Sequence, residues 1–79
     1  MTVTVLLFAE LRALAGSKHL ELQLPDSATV RAAADRLEAS LGHGRLSGVM
    51  CALNERYVDP GTRLSDGDVV AFLPPVSGG

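Results

Sequence analysis

The sequence predicts one α+β domain in which a mixed β-sheet is covered on one face by a single main helix. Several short segments alternate apolar and polar residues with a period of two, which is typical of half-buried strands. Only one long segment repeats its apolar residues with helical spacing. The strands do not alternate regularly with helices, which argues against a doubly wound α/β fold. With 79 residues, 47% of them hydrophobic and 20% charged, the chain suits one small core.

The first two strands are predicted near the N-terminus. Residues 2–8 are rich in β-branched residues, and alternate positions form two faces, one of Val3, Val5 and Leu7 and one that ends in Leu6 and Phe8. Residues 10–15 predict one or two helical turns closed by Gly16. A second strand over residues 19–24 alternates cleanly and ends before Pro25.

The main helix is predicted to begin after Thr29, which suits an N-cap. Its apolar stripe has the spacing of one helix face and consists of Val30, Ala33, Ala34, Leu37 and Leu41. Gly42 follows at the position where a left-handed C-terminal residue is expected. The helix should therefore lie across one face of the sheet.

The remaining strands are predicted in the C-terminal half, over residues 49–53, 56–58 and 68–73. Turns rich in Asp, Pro and Gly separate them. The resulting order, β, β, α, β, short β, β, is that of a β-grasp, or ubiquitin-like, domain. We assign residues 1–75 to this domain and residues 76–79 to a flexible Gly-Gly tail.

Composition excludes several functions. The net charge is -2, Lys18 is the only lysine, and the six arginines are scattered, so no basic stripe is available for nucleic acid. The early apolar run from Val5 to Ala9 is too short to span a membrane or to form a signal-peptide core, which predicts a cytoplasmic protein without membrane contact. Cys51 is alone and lies in an apolar run, which favours a packed strand cysteine over a nucleophile.

No catalytic constellation is predicted. His19 and His43 are too few and too far apart in the chain for a metal cluster, and no glycine-rich phosphate loop follows a strand. Three aspartates, Asp59, Asp66 and Asp68, flank glycines in turns, where solvated turn residues are expected. We therefore predict no metal, no cofactor bound by this chain and no catalysis by the chain alone.

The closing stretch LPPVSGG is the unusual part of the sequence. Pro74 and Pro75 cannot donate ladder hydrogen bonds and should hold the chain extended as it leaves the last strand. Ser77, Gly78 and Gly79 have almost no side-chain bulk. Such an end could thread a narrow channel and bring its carboxylate to the active site of another protein, whereas the alternative is a frayed terminus or residues left by cloning.

An apolar patch is predicted on the sheet face that the helix leaves open. Strand parity places Leu6 and Phe8 of the first strand beside Ala71 and Leu73 of the last, and Tyr57 is expected to join them. If this face is open, the patch is typical of a protein–protein contact site. If the sheet is covered on both sides, these residues are ordinary core.

The chain resembles the molybdopterin synthase small-subunit family, the MoaD-like sulfur carriers with a ubiquitin-like β-grasp fold. The matching stretches are VLLFAELRALAG, TVRAAADRL, ALNERYV and, most specifically, LSDGDVVAFLPPVSGG. They extend over essentially the whole chain. The resemblance implies a non-catalytic carrier subunit in a hetero-oligomeric sulfurtransferase complex that makes molybdopterin for the molybdenum cofactor.

The resemblance also implies which residues act. An ATP-dependent, E1-like activating enzyme adenylates the Gly79 carboxyl, and sulfur then replaces the adenylate to give a thiocarboxylate. The tail enters the large synthase subunit, where sulfur passes to a cyclic pyranopterin precursor. Gly78 allows close approach, and Pro74, Pro75 and Val76 set direction. Contacts with both partners are expected from Phe8, Tyr57 and Leu73, to which the strand-parity argument adds Leu6.

Three alternatives stay open at this stage. One is a sulfur carrier for thiamine synthesis or tRNA thiolation, whose members resemble this chain less before the glycines. Another is a ubiquitin-like modifier of lysines, although Ser77 replaces the basic residue typical of ubiquitin tails. The third is an interaction domain whose tail has no role.

Overall fold

The α+β prediction is confirmed by the computed structural model, which describes residues 1–42, 44, 46 and 48–73. Its elements are β1 (Thr2–Leu7), α1 (Ala9–Ala15), β2 (His19–Gln23), α2 (Val30–Leu41), β3 (Met50–Leu53), β4 (Arg56–Tyr57) and β5 (Val69–Leu73). The five strands form one mixed sheet in the order β2-β1-β5-β3-β4. His43 and the tail residues 74–79 lie outside the described residues, so the domain boundary at residue 75 stays a prediction.

Strands β1 and β5 form the centre of the sheet and run parallel, with Val5 opposite Val70 and Leu7 opposite Phe72. Strand β2 adds to β1 and β3 adds to β5, both antiparallel. Strand β4 is a two-residue antiparallel edge on β3. Because β1 and β5 run in the same direction, both end at the same edge of the sheet.

The core lies between α2 and one face of the sheet. Burial alternates strictly along β1 and β5, as the period-two pattern predicts. The fully or almost fully buried side chains are Val3, Val5, Leu7, Leu11, Val30, Ala33, Leu37, Val70 and Phe72. Leu20 and Leu22 of β2 are only partly buried and pack against this cluster from the edge of the sheet.

Helix termini agree with the sequence except at one residue. The Thr29 hydroxyl accepts a hydrogen bond from the Ala32 amide at 3.3 Å, and Gly16 ends α1 in the left-handed conformation, with φ 73° and ψ 16°. The prediction for Gly42 is wrong, since its φ of 124° is paired with an extended ψ of 144°. Its amide still donates to the Glu38 carbonyl at 2.8 Å, so the helix closes while the chain continues in an extended direction.

Two of the turn aspartates have structural roles before β5. The Asp68 carboxylate accepts hydrogen bonds from the Ser65 amide at 2.7 Å and from the Asn54 side-chain amide at 3.1 Å. The Asn54 side-chain oxygen in turn accepts from the Val69 amide at 2.9 Å. Asp66 accepts from the Thr2 amide at 2.7 Å. These bonds tie together the start of β1, the end of β3 and the start of β5.

Two adjacent valines of β5 provide a matched test of this two-faced strand. Val70 is fully buried in the core, whereas Val69 is partly exposed on the opposite face. Val70→Ala should lower the free energy of unfolding by about 2–3 kcal/mol, since it loses buried methyl groups and leaves a cavity. Val69→Ala should cost less than about 1 kcal/mol. Urea denaturation followed by circular dichroism measures both, and equal losses would contradict the assignment of faces.

Candidate functional site

One row of side chains crosses four strands on the sheet face opposite α2. The strand register places Leu6 of β1 beside Ala71 of β5, Ala71 beside Ala52 of β3, and Ala52 beside Tyr57 of β4. The two middle residues of the row are alanines, and the two outer residues are large. The row is therefore low in the middle and high at its sides, which makes a groove.

The groove, which we call the open groove, has a volume of about 430 Å³. The residues that line it are Leu6, Phe8, Ala52, Asn54, Glu55, Tyr57, Val69, Ala71 and Leu73. Along the strands, it extends from Val69 to Leu73 of β5. Leu73 and Phe8 lie at one end, where β1 and β5 finish, and Val69, Asn54 and Glu55 lie at the other.

Large apolar side chains around this face are exposed to solvent. Tyr57 is 67% exposed, Met50 opposite Leu73 is 50% exposed and Phe8 is 43% exposed. Folding buries comparable residues on the core face almost completely. Exposed aromatic and aliphatic side chains beside an apolar groove are typical of a surface that another protein covers.

The structure brings together the four residues for which the sequence predicts partner contacts, Leu6, Phe8, Tyr57 and Leu73. Phe8 differs from the prediction in one respect, because β1 ends at Leu7 and Phe8 is the N-cap of α1. Its backbone remains extended, with φ -126° and ψ 154°, and Ala9 then takes a φ of 51°. The side chain of Phe8 therefore stays on the face of Leu6 although the strand has ended.

Four lining residues were not predicted from the sequence. Ala52 could have been found, because a two-residue turn after Leu53 places it opposite Tyr57. Val69 could also have been found, because it alternates with Ala71 and Leu73 along β5 and so lies on the same face of the sheet. Asn54 and Glu55 form the turn itself, and only the pairing of β3 with β5 brings that turn beside Val69.

The tail residues for which the sequence predicts a role lie outside the described residues. These are Pro74, Pro75, Val76, Ser77, Gly78 and Gly79. The last described residue, Leu73, lies at the Phe8 end of the open groove. The tail is thus joined covalently to the domain at that end.

Cys51 faces the core side of the sheet, opposite Phe72, where it packs against the buried cluster as the sequence predicts. Burial raises the pKa of the Cys51 thiol, and the nearby Arg31 guanidinium lowers it by a smaller amount. The thiol is therefore a poor candidate for a nucleophile.

Among the described residues, no group of three or more His, Cys, Asp or Glu could hold a metal ion. No helix within the described ranges is long and apolar enough to cross a membrane.

Comparison with known proteins identifies the family. The model of the ThiS family matches residues 5–79. This chain belongs to the ThiS family. The match includes every strand except the first three residues of β1, and it extends through the Gly-Gly end of the sequence.

Two full-length relatives of this ThiS family chain are named molybdopterin synthase sulfur carrier subunits. The protein from Chlamydomonas reinhardtii is 40% identical over the whole length of both chains. The protein from Escherichia coli is 37% identical over 98% of this chain and 99% of its own. The predicted resemblance to the MoaD-like sulfur carriers is therefore confirmed.

Solved structures confirm the β-grasp fold. The crystal structure of SAMP1 from Haloferax volcanii has a TM-score of 0.89 at 28% identity and covers 100% of both chains. A protein–protein complex of subunits 1 and 2 of the molybdopterin-converting factor from Helicobacter pylori contains a chain with a TM-score of 0.72 and 28% identity, again over 100% of both chains. In that relative, the fold is seen in association with a second subunit.

The raised pKa of Cys51 predicts slow modification of its thiol in the folded protein. At pH 8, iodoacetamide should alkylate Cys51 more slowly in the native chain than in the chain unfolded in urea, because burial keeps the native thiol protonated. Folding favours the protonated form, so stability should fall as the pH rises above the thiol pKa of the unfolded chain. Equal alkylation rates in the two states, measured by mass spectrometry, would contradict this assignment.

Proposed function

We propose that this chain is the sulfur carrier subunit of molybdopterin synthase, with the sulfur carried as a thiocarboxylate on Gly79. The observation that supports this best is the open groove, whose Leu73 end is joined directly to the Pro-Pro-Val-Ser-Gly-Gly tail. A partner seated in the groove would thus hold the tail next to its own surface. Membership of the ThiS family and the names of the full-length relatives point in the same direction.

The proposed chemistry takes place at the carboxyl group of Gly79. A carboxylate is a poor electrophile, so an ATP-dependent, E1-like enzyme adenylates it and thereby provides a leaving group. Sulfide supplied by a sulfur donor attacks the acyl carbon, the bond to AMP breaks, and a thiocarboxylate remains. The large synthase subunit then accepts the tail, and sulfur passes to a cyclic pyranopterin precursor. ATP is a substrate of the activating enzyme, and this chain itself needs no bound cofactor.

The groove residues contribute binding to this scheme. Apart from Tyr57, the lining among the described residues contains one ionisable group, Glu55. It lies at the end opposite Leu73, away from the point where the tail is joined. Any general acid or base for sulfur transfer would therefore come from the partner, and Phe8, Tyr57, Leu73 and Leu6 would supply apolar contact area.

Both partners are proposed to use the same surface. The activating enzyme and the large subunit each need the Gly79 carboxyl in their active sites, and the groove is an apolar surface that includes Leu73, the residue before the tail. Binding to one would then exclude the other, so charging and transfer occur in separate complexes. A reducing cytoplasm is the proposed compartment, in agreement with the single free thiol of Cys51.

A protein modifier is the second candidate function. The structural similarity to SAMP1, a small archaeal modifier protein, favours it. The acceptors that this chain could offer to another copy are few, because Lys18 is its only lysine and the Met1 ammonium donates a hydrogen bond of 2.7 Å to the Leu24 carbonyl. The chemical identity of the acceptor, a pterin or a lysine, separates the two functions.

Coexpression with the candidate activating enzyme and a sulfur source tests the carrier function. The intact mass should increase by the difference between one sulfur and one oxygen atom, and fragmentation should place the change at Gly79. A chain lacking Gly79 is the matched control and should keep its fold, because the buried core residues that the structure describes lie between residues 3 and 72. No mass change in the presence of a competent activating enzyme would contradict the thiocarboxylate.

The same tail variants test transfer to the pterin. Deletion of Gly79, or Gly78→Leu, should abolish molybdopterin formation in a reconstituted synthase without a large change in melting temperature. A normal rate of molybdopterin formation from either variant would contradict the proposed mechanism. Formation of isopeptide bonds to lysines, with no pterin product, would favour the modifier function.

Phe8 provides a test of the groove as a binding surface. Phe8→Ala should weaken binding to the large subunit by about 1–3 kcal/mol, because it removes apolar area at an interface. Its melting temperature should change little, since the side chain is 43% exposed in the isolated domain. Leu14→Ala is the matched control, because Leu14 is 44% exposed on α1 and does not line the groove. Unchanged affinity with a strongly lowered melting temperature would make Phe8 a core residue.

A further inference from the structure

The turn between β3 and β4 has an unusual backbone. It consists of two residues, Asn54 and Glu55, whose φ values are 49° and 73°. Positive φ at both positions is the type I′ hairpin turn, for which Asn-Gly is the favoured pair. Asn tolerates the left-handed conformation, but Glu is disfavoured in it. Glu55 therefore lowers the free energy of unfolding relative to a glycine at the same position.

All three non-glycine residues with positive φ in the described ranges lie at the open groove or next to it. Asn54 and Glu55 line the groove at one end, and Ala9 follows Phe8 at the other. Asn54 has a structural reason for its place, because its side chain bonds to Asp68 and to the Val69 amide. Glu55 has no hydrogen bond or ion pair to any residue that the structure describes. Its unfavourable backbone conformation thus has no compensation within the described part of the fold.

The position of Glu55 suggests what its carboxylate does. It is the one charged residue among the described residues that line the groove, and it is exposed to solvent. Val69 and Leu73 mark the two ends of the groove along β5, and four residues of strand span about 13 Å. The carboxylate therefore lies at the end far from the tail. A partner that pairs with the Glu55 carboxylate also receives the tail at the opposite end of the groove. These two contacts together define how the partner is oriented along the groove.

We propose that Glu55 pairs with an arginine or lysine of the large synthase subunit and so sets the direction in which that subunit lies along the groove. The inference rests on the proposed function, and the recorded association of a relative with a second subunit supports the choice of partner. Apolar contact over the alanine floor provides affinity with little directional preference. A single charge at the rim supplies the direction and accelerates association.

The test uses the full-length chain and the large synthase subunit of the same organism, with association followed by surface plasmon resonance. Glu55→Gln should weaken binding about 2- to 5-fold, in the range of a solvent-exposed ion pair. Glu55→Arg should weaken it about 10-fold or more, mainly through a slower association rate, because two cations then meet. The difference from wild type should shrink at 1 M salt, where the Debye length is only about 3 Å.

Glu21→Arg is the matched control. Glu21 is exposed and lies on the same sheet face, opposite Thr4 of β1, but it does not line the groove. The Glu21→Arg substitution changes the net charge by the same amount as Glu55→Arg, so both variants alter the long-range attraction to the partner equally. Its affinity should stay within about 2-fold of wild type. A loss as large as that of Glu55→Arg would overturn the inference, since overall charge would then explain both.

Glu55→Gly separates binding from turn geometry. Glycine suits the positive φ, so the melting temperature should rise by a few degrees while affinity falls as in Glu55→Gln. A higher melting temperature with unchanged affinity would overturn the inference and leave the proposed function intact. Absence of any binding by the wild-type chain would overturn the proposed function itself, and this inference with it.

Discussion

The parallel pairing of β1 with β5 is the constraint on which the rest of the structure depends. It joins segments from opposite ends of the chain, β2 and β3 add to its two sides, and β4 extends the sheet from β3. The pairing of Val5 with Val70 places two buried side chains under α2. The next pair, Leu6 with Ala71, lies on the opposite face and begins the open groove. One register thus defines both the core and the candidate binding surface.

The two faces of the sheet follow different packing requirements. The core face carries large side chains such as Phe72, which are fully buried below α2. The open face carries alanines at the positions where the groove is deepest, Ala52 and Ala71, and larger residues around them. Large residues at these two positions would add apolar area but would fill the groove. The same strand, β5, therefore contributes stability with alternate residues and surface shape with the others.

Polar side chains around β5 maintain geometry, while the proposed chemistry lies in the tail. Asp66, Asp68 and Asn54 satisfy backbone amides at the start of the central strands. Cys51 is packed against the core with a raised pKa. A small domain of this kind suits the proposed carrier function, because the sheet would present the docking face while the proposed reactive group belongs to the Gly-Gly sequence that follows it.

Much of this protein was determined by the sequence itself. Strict alternation assigned the two faces of β1 and β5, the spacing after Thr29 defined α2, and the closing motif indicated the family, because each depends on residues close together in the chain. Strand ends and turn conformations were less accessible, as Phe8 and Gly42 show, since they depend on backbone angles that neighbouring residues do not specify. Strand parity placed Ala71 on the open face, but only the tertiary structure brought it together with Ala52 and Glu55 in one groove. Their proximity results from the register of three strands, and register is decided by packing between distant segments.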